Sequence, residues 1–96
     1  MATPFGPSGN LTGAADTTVD STAQNRYARV KVYNADTVQH VITWKKGTTP
    51  NEQVTLQPKQ SGEVGPQWYP SGTNPVVNCA EAVTTTAPTY DVVGEY

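Results

Sequence analysis

The chain has 96 residues, a formal net charge of −2, one cysteine and one histidine. That length allows one small domain, for which the usual reinforcements are disulfides, metals or association. A lone cysteine excludes an internal disulfide, and with a lone histidine it cannot build a usual structural zinc site. The weak charge supplies no global drive toward nucleic acid or an anionic membrane, so association is the reinforcement left.

Residues 1–25 are dominated by Thr, Gly, Ala, Ser, Pro and Asp, with Phe5, Leu11 and Val19 as isolated larger apolar groups. Such a stretch cannot build a core of its own and is predicted to be an extended polar arm, ordered only by something it docks against. TPFGPSG at its start resists both helix and ladder. Read from Met1, the arm has neither a basic n-region nor an apolar h-region, which predicts no secretory signal and synthesis in a cytoplasm. No apolar run of about twenty residues occurs, so no membrane-spanning helix is expected.

At Arg26 the pattern changes to a period of two and opens residues 26–96, predicted to be a small β domain. In RYARVKVYN, Ala28, Val30 and Val32 share one face, and Tyr27, Arg29, Lys31 and Tyr33 share the other. Asn34–Ala35–Asp36 is turn chemistry, and residues 38–45 read as a second strand with Val38, His40, Ile42 and Trp44 on one face. Parity favours a hairpin with Val32 opposite Val38, which would bring Lys45 to the outer face of Tyr27 and Lys31. An arch from one sheet to another satisfies the same parity. A strand at 53–57 and a short one at 63–64 follow, with turns between them. Residues 65–75, rich in Gly and Pro, read as a long irregular loop carrying Trp68 and Tyr69. Strands at 76–80 and 89–94 complete the list, and no segment supports a helix of normal length. The expectation is all-β: a small antiparallel β-sandwich or partly open barrel with an extended N-terminal arm.

Catalytic patterns are absent from the sequence. Nucleophilic catalysis needs a nucleophile, a base and an orienting group, yet His40 lies on an apolar strand face, where a buried, hydrogen-bonded structural histidine is the better reading. Cys79, within VVNCA, reads as a small buried hydrophobe rather than a reactive thiol. The carboxylates are scattered, no phosphate-binding glycine loop precedes a helix, and no cofactor or metal set is implied. All six basic residues fall between Arg26 and Lys59, and those beside tyrosines could form a platform for single strands. An ordinary solvated face and the acidic balance of the whole chain argue against that. Trp68 and Tyr69 could plug the end of the sandwich, contact a protein, or stack on a sugar.

RVKVYNADTVQHVITW, the turn-strand phrase QVTLQPKQSGEV and the late strand VVNCA give residues 26–96 a resemblance to the small all-β structural proteins of tailed-bacteriophage virions, particularly head decoration (cement) proteins. The resemblance implies a virion location, many copies in a symmetric array or homo-oligomer, and binding to the major capsid protein or another virion protein. It carries no motif of functional residues. The function expected is non-enzymatic: the chain docks on a phage capsid and decorates or stabilises it, with the arm as main attachment and Phe5, Leu11 and Val19 as anchors. Alternatives are a head–tail or tail adaptor, and a host-surface or glycan-binding module using the Trp68–Tyr69 loop.

Overall fold

The computed structural model describes residues 2–3, 6–21 and 25–95. Among them the chain forms β1 (Ala2–Thr3), β2 (Ser8–Asn10), β3 (Ala15–Thr18), β4 (Arg26–Tyr33), β5 (His40–Lys46), β6 (Thr49–Leu56), β7 (Ser61–Tyr69), β8 (Pro75–Cys79) and β9 (Thr89–Glu95), with no helix. Every pairing between strands is antiparallel. Two separate sheets result, so the sandwich alternative holds over the barrel.

In the first sheet, β9 pairs with β4 and β4 with β7, while β1 and β2 both lie along the other edge of β9. Backbone bonds from Gly6 N to Val92 O and from Val92 N to Pro7 O continue that edge, so β1 and β2 act as one interrupted strand. The second sheet runs β3-β8-β5-β6. Counting β1 with β2 gives eight strands, paired as first–eighth–third–sixth and second–seventh–fourth–fifth. That order is a jelly roll, the double Greek key in which successive strands lie in opposite sheets except β5 and β6, which are neighbours in the second.

The stretch read as an arm is therefore extended, and its described part supplies strands to both sheets. Its polar composition suits edge strands, which need little beyond main-chain pairing. Leu11 and Val19 sit in the core, each only 2% exposed. They join Val30, Val32, Ile42, Trp44, Leu56, Val64, Tyr69, Val77 and Val92 between the sheets. Trp44 and Tyr69 meet edge-to-face, with ring centroids 5.2 Å apart.

Two expectations are corrected. First, β4 and β5 do not form a hairpin: β4 pairs only within the first sheet and β5 only within the second, so residues 34–39 are the arch. Arch and hairpin both place the apolar parity inward, which is why parity alone does not separate them. Asn34 holds the arch shut, donating from Nδ2 to the carbonyls of Val38 (2.9 Å) and Leu56 (3.0 Å). Lys45 consequently lies on the second sheet, away from Lys31, and bonds Asp16 at 2.9 Å.

Second, the expected loop around Trp68 is part of β7, which runs unbroken as a strand to Tyr69. A β-bulge interrupts its register, with Ala28 opposite Gln67 but Val30 opposite Val64. Gly65 takes φ +92 there, and a Cβ on it would meet Ala28 O and Arg29 Cα at 3.0 Å. The extra residue reverses the facing parity of the strand. Before the bulge, even-numbered Val64 points inward; after it, even-numbered Trp68 points outward and Tyr69 points in.

Candidate functional site

Both ends of the sandwich are closed by buried polar groups. At one end Arg26 pairs with Asp20 at 3.2 Å, both fully buried, and lies 5.7 Å from the centre of the Tyr69 ring. At the other end Asp36 is a hub. Its carboxylate accepts from Thr84 N at 2.9 Å, Thr84 Oγ1 at 2.7 Å, Thr85 N at 2.9 Å, Thr85 Oγ1 at 3.0 Å and Thr37 N at 2.8 Å. His40 Nε2 lies 2.8 Å from the same carboxylate. Burial pushes the Asp36 carboxyl upward, but the bonds from Thr84 and His40 outweigh it and hold the group far below the usual carboxylate range.

Cys79 completes a chain of contacts, its Sγ 3.2 Å from His40 Nδ1. Asp36 as a carboxylate only accepts, so Nε2 donates to it, while Nδ1 faces the thiol. The order thiol–imidazole–carboxylate is that of a nucleophile with its base and orienter. The environment works against that use: burial, with Glu81 and Asp36 nearby, pushes the Cys79 thiol up to about 11. Cys79, His40 and Asp36 are all fully buried. What the cluster does physically is clasp the arch to the 84–86 segment. Folded protein at pH 8 is expected to resist iodoacetamide until urea unfolds it, read by mass spectrometry. Labelling at the rate of a free thiol would show Cys79 to be accessible.

The two outer sheet faces differ in how their side chains are used. On the second sheet they bond one another: Lys45 and Asn78 to Asp16, both at 2.9 Å, and Gln53 to Thr43 at 3.1 Å. That face is laced shut across its strands. On the first sheet, the register aligns Tyr27 with Trp68, Lys31 between Glu63 and Asp91, and Tyr33 between Ser61 and Thr89. Tyr27 (46% exposed), Tyr33 (39%) and Trp68 (50%) are the large exposed apolar side chains among the described residues. All belong to this one face, which is where unsatisfied contact surface is concentrated. Arg29 and Glu63 approach at 3.8 Å, half in solvent, a weak pair.

The described residues expected to contact a partner do not share an exposed surface. Phe5 lies outside the described residues. Leu11 and Val19 are occupied by the core of this chain, and Tyr69 is fully buried against Trp44 and Arg26. Trp68 alone among those described is presented to solvent, on a strand rather than a loop, so it is not the plug; Tyr69 fills that role. Tyr27 was legible as an outward residue from its parity, but not its partner, because the bulge at Gly65 hides the alignment with Trp68. Among the described residues no group of three or more His, Cys, Asp or Glu is arranged to hold a metal, and no helix is long and apolar enough to cross a membrane. No protein-family model, no curated protein and no solved structure matches the chain.

Proposed function

We propose that the chain is a non-enzymatic structural component of a phage virion that docks on the capsid, and that the Tyr27–Trp68 corner of the first sheet makes the contact. The observation that carries the docking surface is the exposed Trp–Tyr cross-strand pair, aligned by register and half in water. Trp and Tyr are the residues in which interface energy concentrates. Jelly rolls recur in viral capsid proteins and in lectins, which supports the reading by analogy of fold only. The resemblance to head decoration proteins supports the virion surface. Since Leu11 and Val19 are held inside, the corner replaces the arm as the main attachment.

The test is co-sedimentation with shells assembled from the major capsid protein encoded in the same genome. Trp68→Ala is expected to weaken binding by about 2 kcal/mol, roughly thirtyfold, with the urea midpoint unchanged. Lys45→Ala, on the laced face, should bind like the wild type. Wild-type binding by Trp68→Ala, or no binding by the wild type, would overturn the reading. The number of bound copies separates decoration of the whole shell from a ring at the head–tail junction.

A further inference from the structure

At the other end of the same face, about 20 Å along β4 from Tyr27 by strand rise, lies a depression of about 410 Å³. Its side chains are Lys31 and Tyr33 from β4, Ser61 and Glu63 from β7, and Thr89 and Asp91 from β9. The geometry points to a binding site for a neutral oligosaccharide in this depression, separate from the Tyr27–Trp68 corner.

Charge narrows the ligand. Lys31 occupies the central strand, with Glu63 directly across on one side and Asp91 directly across on the other. A cation seated centrally would meet the ammonium, and an anion would be flanked by both carboxylates. A neutral ligand rich in hydroxyls meets neither penalty: its O–H groups donate to Glu63 and Asp91 and accept from Lys31. Ser61 and Thr89 add hydroxyls that donate and accept on either side of Tyr33. Tyr33 supplies the apolar surface on which the C–H face of a sugar ring packs.

The side chains are also unengaged. Apart from the 3.8 Å approach of Glu63 to Arg29, these groups have no side-chain hydrogen bond or ion pair to other described residues, whereas the equivalent groups on the second sheet are bonded together. The volume falls within the range of small-ligand sites, although this one is open rather than enclosed.

The experiment is an array of neutral, sialylated and sulfated oligosaccharides probed with the full chain, followed by titration of the best-retained neutral glycan. The wild type should retain neutral glycans. Asp91→Asn and Tyr33→Ala, both surface changes, should each weaken binding about tenfold, with unaltered urea midpoints. Trp68→Ala should leave glycan binding intact, which keeps this site distinct from capsid docking. Retention of no neutral glycan, retention of charged glycans only, or undiminished binding by Asp91→Asn and Tyr33→Ala would overturn the proposal.

Discussion

Truncation of residues 1–19 is expected to abolish cooperative unfolding rather than to release a stable β domain. The cut removes β1, β2 and β3, exposing one edge of β9 in the first sheet and of β8 in the second. It also removes Leu11 and Val19, both buried in the core. Each such side chain contributes about 1.5–3 kcal/mol by burial alone. The opened core behind them, including Val77, Cys79 and Val92, loses further contacts. Set against a total of about 5–15 kcal/mol for a domain, that loss leaves little or nothing. Far-UV circular dichroism through a urea titration is the measurement. A sharp transition at a midpoint near the wild type would mean that residues 1–19 are dispensable and that the jelly roll is complete without them.

Asp36→Ala is expected to be unfolded or molten at 25 °C, although it changes no apolar contact. The substitution strands the fully buried His40 donor and part-buried donors on Thr84 and Thr85 that this carboxylate now accepts, and it unties the arch from the segment before β9. Breaking a buried network from one side leaves its remaining members unpaired, which is worse than never having built it. The same carboxylate sets an acid limit. Its folded pKa lies below its unfolded one. Its stabilisation is therefore complete above the unfolded carboxylate value, about pH 4, and is lost progressively as pH falls below that toward the folded value. Urea midpoints of the wild type should be flat in this contribution from pH 7 to 5 and fall from pH 4 to 2. A midpoint indifferent to acid, or a well-folded Asp36→Ala, would show that the hub is ornamental.

The regular strands were legible because their alternation is local. Ala28, Val30 and Val32 face inward against Tyr27, Lys31 and Tyr33 outward, as the period of two requires. His40 also lies where its apolar strand face put it, buried and hydrogen-bonded. What stayed hidden depends on partners distant in the chain. The arch and the hairpin after Tyr33 share one apolar parity, so only the pairing of β4 with β9 and of β5 with β8 distinguishes them. The bulge at Gly65 is marked locally only by a Gly-Pro pair, which reads equally as a turn signal. One inserted residue there exchanges the fates of Trp68 and Tyr69, so the loop read from composition turned out to be a strand that presents Trp68 to solvent and buries Tyr69. The polar stretch before Arg26 illustrates the same limit. SGN and ADTT carry no strand alternation, because edge strands with exposed side chains need backbone pairing more than apolar faces.

In the proposed docking, contact is made by the outer face of the first sheet and not by the laced face of the second. Hydroxyl-radical footprinting of the protein free and on assembled shells tests it most directly. Protection of Trp68 and Tyr27, with Thr43, Lys45 and Asn78 oxidised equally in both states, is the predicted result. Protection confined to the second sheet, with Trp68 oxidised as freely on the shell as in solution, would contradict it.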